Sequence, residues 1–342
     1  MSSLAVPRGA ARRRSAASFP RVAVVIPAYR AAAHIGGVLA SIPAWVSIIV
    51  VVDDASPDET AEVVATQGDP RVHYFRHDTN CGVGGAMLTG YRQAARLGAE
   101  ILVKMDADGQ MDAAQLPRLV APIVNGEADY TKGNRFLHAP QLAAMPPLRR
   151  IGNMGLSFLT KMASGYWDVF DPTNGYTAIH ASVLPMINQE ALDRRFFFET
   201  SMLVELSMCR AVVRDVPMPA RYRGERSSLS ESRAFVSFPP RLIRSLVRRV
   251  VVHHFVQDFG LFALFLVSGV LLSAFGAGFG AWAWASNAHR NVETSAGTVM
   301  IAVLPIILGI QLLLQALTLD IQSTPVHPVH HSLEDEARLG GA

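Results

Sequence analysis

Short runs of apolar, often β-branched residues alternate with amphipathic segments through the first part of the chain. The apolar runs predict five strands, at residues 22–27, 47–52, 72–75, 101–105 and 129–133. The amphipathic segments between them predict helices near residues 33–41, 58–67, 83–97 and 113–125. Because strands that alternate with helices build a mostly parallel sheet with helices on both faces, we expect an α/β fold here.

The next hundred residues show a less regular pattern. Segments predicted to be helical at least in part are 149–164, 176–190 and 199–211. Residues 221–233 are rich in Arg and Ser, which is typical of a mobile loop. We expect residues 21–236 to form one folded domain, preceded by a disordered basic tail at residues 1–20.

The remainder of the chain is more apolar. In residues 237–256 a helix would carry an arginine-rich face opposite an apolar face, which suits an interfacial helix on an anionic membrane. The arginines of this segment are Arg241, Arg244, Arg248 and Arg249. Residues 259–285 and 298–319 contain no charged side chain, and each run is long enough to span a bilayer. We therefore expect a two-span hairpin within 257–320 and a tail at 321–342.

Composition and charge agree with a membrane protein. Half of the 342 residues are hydrophobic, and the mean hydropathy is +0.24, which is high for a soluble protein. The net charge of +3 gives no reason to expect a nucleic-acid partner. The arginines just before the first apolar run indicate that this side is cytoplasmic. We expect a multi-pass protein of the cell (inner) membrane with its folded domain and tail in the cytoplasm. A buried hairpin of a soluble protein is the alternative.

Acidic side chains follow two of the predicted strands. Asp106 and Asp108 come after the fourth strand, where both can face one divalent cation, and Gln110 offers a neutral oxygen on the same side. Such a cation has open positions for a diphosphate and neutralises charge on a departing nucleoside diphosphate. A solvated turn is the alternative. Asp53 and Asp54 follow the second strand, where a carboxylate binds a ribose or base, or caps a helix.

A glycine-rich turn precedes the third predicted helix, with the sequence Asn80-Cys81-Gly82-Val83-Gly84-Gly85-Ala86. Its backbone N–H groups could cradle a phosphate. Alternatively, the glycines serve close packing in a tight strand–helix turn. The turn is not a dinucleotide-binding fingerprint, because Met87 stands where the third glycine should be and the turn follows the third strand.

Four motifs in this order resemble glycosyltransferase family 2 on a GT-A fold. They are residues 24–29 (VVIPAY), residues 51–60 (VVDDASPDET), Asn80-x-Gly82-x-Gly84-x-Ala86 and residues 105–110 (MDADGQ). The resemblance covers about residues 20–235. The D-x-D-G-Q run and the carboxy-terminal membrane anchor are similar to those of the polyprenyl-phosphate and dolichyl-phosphate sugar transferases. This implies a GT-A-like, Rossmann-like sheet, a Mg²⁺ or Mn²⁺ ion, a nucleotide-sugar donor and a polyprenyl phosphate acceptor.

The resemblance also implies roles for individual residues. The nucleotide-sugar would contact Pro27, Tyr29, Asp53, Asp54, Gly82, Gly84, Asp106, Ala107, Arg223 and Ser227. The acceptor phosphate would contact Arg135, Arg149, Arg150 and Asn153. The metal ligands would be Asp106, Asp108 and Gln110, and the residues assigned to catalysis are Asp171 and Asp108. Where the family commonly has Lys in the late loop this chain has Ser228, so we expect a positive contact from Arg226 or Arg223.

The expected reaction is direct displacement with inversion at the sugar carbon. A lipid monophosphate has a second pKa near 6, so it is mostly anionic at neutral pH and needs little help from a general base. The donor is left open between the UDP-glucose and GDP-mannose classes. A homo-oligomer is also left open.

Two other functions are compatible with the same motifs. One is a membrane-anchored nucleotide-sugar-binding scaffold without turnover. The other is a polysaccharide-chain glycosyltransferase, but the Q-x-x-R-W motif of processive synthases does not occur in this sequence. The histidines His327, His330 and His331 are expected in a disordered tail rather than in a metal site.

Overall fold

A computed structural model describes residues 19–135, 147–171, 174–195, 197–219 and 231–333, without the side chains of 147–154 and 231–237. The predicted basic tail therefore lies almost wholly outside the described residues. The strands are β1 (Val22–Ala28), β2 (Ile48–Asp53), β3 (Val72–Arg76), β4 (Ile101–Lys104), β5 (Tyr130–Asn134), β6 (Thr177–His180) and β7 (Val213–Pro217).

These strands form one mostly parallel sheet in the order β3-β2-β1-β4-β6-β5-β7. Strand β6 runs antiparallel to both of its neighbours, β4 and β5, whereas the other paired strands are parallel. Every residue of β2 is buried. Alternate residues of β1 enter hydrophobic clusters on opposite faces, with Val24 on one side and Val25 on the other. The sheet is therefore covered on both faces, as the sequence predicts.

The helices flank the sheet or follow it in the chain. They are α1 (Ile35–Ser41), α2 (Thr60–Thr66), α3 (Gly82–Arg96), α4 (Leu116–Val124), α5 (Pro147–Ser164), α6 (Phe198–Met208), α7 (Glu231–Val251), α8 (Leu261–Arg290) and α9 (Ala296–Gln322). Short 3₁₀ turns cover Ala113–Gln115 and Ala181–Met186, and a π-helical segment covers Val252–Gln257.

The later part of the domain differs from the prediction in two places. Residues 176–190 contain strand β6 before a 3₁₀ turn, and residues 199–211 contain α6 but are followed by an unpredicted edge strand, β7. Both strands are only four or five residues long, so their local pattern is weak and their pairing decides their structure. Helix α7 also begins at Glu231, inside the segment predicted to be a loop.

The two apolar runs form the antiparallel helices α8 and α9, each long and apolar enough to cross a membrane. Close packing explains the glycines between them, because a Cβ on Gly269 or Gly276 would lie 2.9 Å or 2.5 Å from a carbonyl oxygen of α9. The outward faces remain exposed, including Leu271 and Ile307. A hairpin that exposes so much apolar surface is typical of a membrane anchor rather than of a soluble core.

Helix α7 is amphipathic as predicted, but most of its arginines bind the protein itself. Arg241 lies 2.7 Å from Asp193, Arg248 lies 2.5 Å from Glu205, and Arg249 lies 2.7 Å from Asp320. The sequence could not reveal these partners, because they lie 43 to 71 residues away along the chain. The exposed surface of α7 carries an apolar stripe of Ile243, Val247 and Val251 beside the exposed arginines Arg241, Arg244 and Arg248.

The tail that follows the hairpin is ordered as far as residue 333, which corrects the expectation of disorder. The carboxylate of Asp129, at the start of β5, accepts hydrogen bonds from the backbone N–H groups of Val329 and His330, at 3.0 and 2.9 Å. The His330 ring contacts the same carboxylate at 2.7 Å and stacks on His180. This buried docking site is formed by residues about 200 positions apart, so local composition does not predict it.

Candidate functional site

The carboxyl ends of the parallel strands bring the predicted acidic residues to one edge. In the register of β1 and β2, Ala28 lies beside Asp53, and Asp53 is completely buried. One of its carboxylate oxygens accepts a hydrogen bond from the Ser56 N–H at 2.8 Å, and the other accepts one from the Tyr74 hydroxyl at 2.6 Å. Burial and this hydrogen bond raise the pKa of Tyr74 to about 12. Asp53 therefore links the end of β2 to the turn at Ser56 and to Tyr74 of β3.

Arg76 is a residue at this edge that sequence reasoning missed. It is the last residue of β3, its guanidinium lies 3.7 Å from Asp53, and about half of its side chain is exposed (51%). The guanidinium also donates to the carbonyl of Ser56 at 3.0 Å. Its position at a strand end was the available signal, because ligands of such sheets bind at the carboxyl edge.

Asp54 caps a helix, although not the helix that follows it in the sequence. Its carboxylate accepts hydrogen bonds from the backbone N–H groups of Cys81 and Gly82, at 2.8 and 2.7 Å, and contacts the His77 ring at 2.8 Å. The two N–H groups lie at the start of α3, where backbone donors have no acceptor within the helix. Ligand atoms of Asp54, His77 and Cys81 lie within 4.8 Å of one another, but the cap already explains why this group is close together.

The glycine-rich turn packs closely against another segment of the chain. The N–H of Gly84 donates to the carbonyl of Arg194 at 2.9 Å, and that of Gly82 binds Asp54. A Cβ on Gly82 or Gly84 would overlap the backbone carbonyls of Arg194 and Asp193. Gly82 also has a φ of 81°, which favours glycine. These contacts support the close-packing alternative, and a contact of Gly82 and Gly84 with the nucleotide-sugar stays a prediction.

The Asp-x-Asp pair follows β4 at the same edge. Asp106 and Asp108 are partly exposed, and Ala107 between them is buried. Asp108 accepts a hydrogen bond from the Gln110 N–H at 2.9 Å, and Gly109 completes the turn with a φ of 72°. Two carboxylates accessible from solvent on one short turn are oxygen ligands of the kind that Mg²⁺ and Mn²⁺ prefer, so the residues fit a divalent ion.

Lys104 contacts the Asp-x-Asp pair from inside the protein, and the sequence analysis missed it. Its Nζ lies 2.8 Å from Asp106 Oδ1 and 2.9 Å from Glu199 Oε1. Burial disfavours its charge, but the two carboxylates outweigh burial and raise the pKa of Lys104 above its ordinary value. A lysine at the end of an otherwise apolar strand was the available signal, because a buried lysine needs an acidic partner.

A second buried lysine joins β5 to the segment that follows Asp171. Lys132 donates to the backbone carbonyl of Asn174, and the Asn174 side chain donates to the carbonyl of Gly133 at 2.6 Å. Burial lowers the pKa of Lys132 to about 8, although Glu199 and Asp171 favour its charged form. These bonds hold the segment after Asp171 against the end of β5.

The structure brings two predicted site residues, Asp171 and Arg135, into direct contact. Asp171 is completely buried, and Arg135 binds it through Nε at 2.8 Å and Nη2 at 3.2 Å. The Arg135 side chain is 35% exposed, so it can contact a ligand while Asp171 holds it. A buried carboxylate in a bidentate ion pair is suited to orienting the arginine rather than to accepting a substrate proton.

The structure describes the side chains of only some of the other predicted site residues. Tyr29 is about half exposed (48%), with the Arg30 guanidinium 5.4 Å from its ring centroid, and Pro27 is partly buried beneath it on β1. Arg149, Arg150 and Asn153 lie in the first turns of α5, but their side chains are not described. Arg223, Arg226 and Ser227 lie outside the described residues.

A mostly parallel sheet with an accessible Asp-x-Asp turn after β4 defines a glycosyltransferase of the GT-A type. The model of the family "Glycosyl transferase family 2" matches residues 23–186. The solved glucosyl-3-phosphoglycerate synthase from Mycobacterium tuberculosis, in complex with Mn²⁺, UDP and glucosyl-3-phosphoglycerate, has the same fold. Its TM-score is 0.50 at 20% identity, over 67% of this chain and 80% of that one.

Two relatives identify the family. The UDP-N-acetylglucosamine–dolichyl-phosphate N-acetylglucosaminyltransferase of Methanococcus voltae is 30% identical over 188 residues, 51% of this chain and 74% of the relative. The undecaprenyl-phosphate mannosyltransferase of Micrococcus luteus is 31% identical over 205 residues, 58% of this chain and 82% of the relative. The chain belongs to glycosyltransferase family 2, in the group of polyprenyl-phosphate and dolichyl-phosphate sugar transferases.

Proposed function

We propose that this glycosyltransferase moves a hexose from a metal-bound nucleotide-sugar to a polyprenyl phosphate at the cytoplasmic face of the membrane. The observation that carries the proposal is the accessible turn with Asp106 and Asp108 in a chain that also contains the apolar hairpin of α8 and α9. Relatives named for dolichyl and undecaprenyl phosphate support the acceptor class.

The donor side of the site would use the carboxyl edge of the sheet. Asp106, Asp108 and Gln110 would hold Mg²⁺ or Mn²⁺, which when bound supplies positive charge for the departing diphosphate. The base and ribose would lie near Pro27, Tyr29 and the buried Asp53, with Arg76 as an additional cationic contact. The identity of the nucleotide stays open between UDP and GDP. Contacts from Arg223 and Ser227 stay predictions.

On the acceptor side, Arg135 would bind the lipid phosphate while Asp171 fixes its orientation. Arg149, Arg150 and Asn153 of α5 would complete this subsite. Arginine suits the role because its planar guanidinium makes two charge-assisted hydrogen bonds to a phosphate. Since the phosphate is already anionic near neutral pH, no side chain has to remove a proton from it. This agrees with an Asp171 that is buried in an ion pair.

The arginines of α7 support the proposed orientation in the membrane. Positive residues accumulate on the cytoplasmic side of a span, and α7 precedes α8 with the π-helical segment Val252–Gln257 between them. Its exposed stripe of Ile243, Val247 and Val251 would lie in the interface. Two spans would return the chain to the same side, where residues 325–333 reach Asp129.

A transfer assay with the full chain tests the proposal. Membranes that contain the protein and polyprenyl phosphate would receive radiolabelled UDP- and GDP-sugars in turn, and label in the organic-extractable lipid is measured. We expect label from one donor and a loss of at least about 100-fold in Asp106→Ala and Asp108→Ala, because each removes a metal ligand. Glu127→Ala, an exposed acidic residue at the opposite edge, is the matched control and should transfer normally.

Transfer that survives Asp106→Ala and Asp108→Ala unchanged would contradict the metal assignment. Label that enters water-soluble or polymeric glycan instead of lipid would contradict the acceptor. Binding of a donor without release of labelled product would favour the scaffold alternative.

A further inference from the structure

Three charged side chains in contact lead from the proposed metal site into the protein. The Lys104 ammonium bridges Asp106 Oδ1 at 2.8 Å and Glu199 Oε1 at 2.9 Å. The Lys104 side chain is 2% exposed, whereas that of Asp106 is 34% exposed. The carboxylate of Asp106 is therefore in contact with Lys104 on its buried side. Its exposed side would face the divalent ion.

Packing holds this lysine in place. A Cβ on Gly175 would overlap Lys104 Nζ and lie 3.1 Å from Asp106 Oδ2, so the ammonium fits only because residue 175 has no side chain. Glu199 belongs to the first turn of α6. Phe198, the first residue of the same helix, packs against Gly84 of the glycine turn. The Lys104 ammonium is therefore enclosed between Asp106, Glu199 of α6 and the backbone at Gly175.

This arrangement has a direct electrostatic consequence for a metal ion. Lys104 places a positive charge beside a carboxylate ligand, which repels a second cation at the same carboxylate. Glu199 acts in the opposite sense, because it partly neutralises Lys104. Coulomb interactions at separations of a few ångströms are strong where a charge is shielded from water, as Lys104 is, although the outer side of Asp106 is open to solvent. The strength of the metal site is therefore set by the balance of Lys104 and Glu199 as well as by the ligands.

We propose that Lys104 and Glu199 are positioning residues that keep the metal site weak until a nucleotide diphosphate is present. The inference rests on the proposed function of Asp106 as a metal ligand. The anionic oxygens of the diphosphate supply the attraction that Lys104 removes from the empty protein. Lys104 and Glu199 would thereby make the affinity of the site for the ion depend on the bound nucleotide.

Two buried substitutions with opposite predicted signs test the idea. Mn²⁺ is titrated into the full-length protein in detergent, and the free ion is measured by electron paramagnetic resonance without nucleotide and with UDP or GDP. Without nucleotide, Lys104→Met should bind Mn²⁺ at least about tenfold more tightly than the wild type. Glu199→Gln should bind it more weakly, because Lys104 then loses its second partner. A merely structural role would move both variants in the same direction.

Three controls accompany the pair. Lys104→Arg keeps the charge and should stay closer to the wild type than Lys104→Met. Lys104→Met combined with Asp106→Asn should lose the gain, because the ion then lacks its carboxylate. Arg96→Met removes an exposed cation of α3 and should leave Mn²⁺ binding unchanged. Thermal unfolding of each variant verifies that it is folded.

Mn²⁺ affinity that is unchanged or reduced in folded Lys104→Met, or unchanged or increased in Glu199→Gln, would overturn the inference. If Lys104→Met does not fold, the sign for the isosteric Glu199→Gln decides alone. A wild type that binds no Mn²⁺ even with UDP or GDP would overturn the metal part of the proposed function together with this inference. Nucleotide-dependent Mn²⁺ binding without the two shifts would overturn the inference only.

Discussion

The role of each carboxylate at this site depends on its burial and on its hydrogen-bond partners. Asp53 and Asp54 are adjacent in the sequence and both buried, yet one binds Ser56 and Tyr74 while the other caps α3. Asp106 keeps about a third of its surface exposed. A metal ligand must be accessible to the ion, so the exposure of Asp106 fits that role, whereas the carboxylates of Asp53 and Asp54 are occupied by hydrogen bonds within the protein.

Asp171 offers the sharpest prediction at the residue scale. Asp171→Asn removes the charge that fixes Arg135 but keeps the shape of the side chain. We expect kcat/KM for polyprenyl phosphate to fall about 10- to 100-fold, because a hydrogen bond between charged groups contributes roughly 1.5–3 kcal/mol. The KM for the nucleotide-sugar should change little. Steady-state rates with the lipid varied at saturating donor measure both values.

The opposite pattern would assign Asp171 a different role. A collapse of kcat with an unaltered acceptor KM would mean that Asp171 acts on the reacting atoms directly. Asp168→Asn, a nearby acidic residue outside the ion pair with Arg135, serves as the control and should retain both constants.

At the scale of elements, a buried ion pair connects α7 to α9. Arg249 binds both carboxylate oxygens of Asp320, at 2.7 and 2.9 Å, and the Trp167 indole donates to the same carboxylate at 3.3 Å. The Arg249 and Asp320 side chains are 4% and 5% exposed. Because a buried charge without its partner is costly, this pair fixes how the domain meets the hairpin.

Arg249→Met should therefore destabilise the protein strongly. It leaves Asp320 buried without its main cationic partner, and the expected loss is about 3–5 kcal/mol in the free energy of unfolding. Arg244→Met, the same substitution at an exposed position of α7, should change it by about 0.5 kcal/mol or less. Thermal unfolding in detergent compares the two variants, and equal melting temperatures would contradict a structural role for the pair.

The docked tail is a second connection between elements. Burial raises the pKa of Asp129, but hydrogen bonds from His330, Val212 and Val329 outweigh it and lower the pKa below its ordinary value. A carboxylate with a depressed pKa stabilises the fold above its unfolded value, near 3.9, and loses this contribution as the pH falls through the folded value. The tail should accordingly stay docked at neutral pH and loosen in acid.

Asp129→Asn tests the docking without acid. The amide keeps one acceptor oxygen but loses the charge, so we expect the backbone N–H groups of Val329 and His330 to exchange with deuterium faster than in the wild type. Glu127→Gln, two residues away and exposed, is the control and should leave exchange unchanged. Unaltered protection in Asp129→Asn would mean that apolar packing holds the tail.

At the scale of the whole molecule, the chain leaves the domain through α7 and returns to it through the tail. Besides the two connections above, Arg210 donates to the carbonyl of Ser323 at 3.3 Å, close to the end of α9. Both ends of the hairpin are thus attached to the domain.

The two-span orientation has its own test. In a background in which Cys81 and Cys209 are replaced by Ser, single cysteines are introduced at Asn291, in the turn between α8 and α9, and at the exposed Glu127. An impermeant thiol reagent added to intact cells should label position 291 only, because the proposed orientation puts position 127 in the cytoplasm. Labelling of both positions from the same side would contradict two spans.

The candidate site was partly predictable. The Asp-x-Asp pair and the strand-end acids follow from an apolar run that ends in acidic residues, which is a local signal. The bond between Arg135 and Asp171 and the bridge from Lys104 to Glu199 join residues 36 and 95 positions apart. These contacts form only when distant segments of the chain come together in the fold. A local sequence pattern therefore cannot predict them.

The sequence by itself determined the alternation of β1 to β5 with α1 to α4, the two membrane-length helices and the chemistry at the strand ends. These features depend on periodicity and composition over a few neighbouring residues. Only the tertiary structure decided the pairing of β6 and β7, the packing role of the glycine turn and the docking of the tail at Asp129. Each of these is a contact whose free energy depends on burial and on partners far away in the chain, which a linear pattern cannot specify.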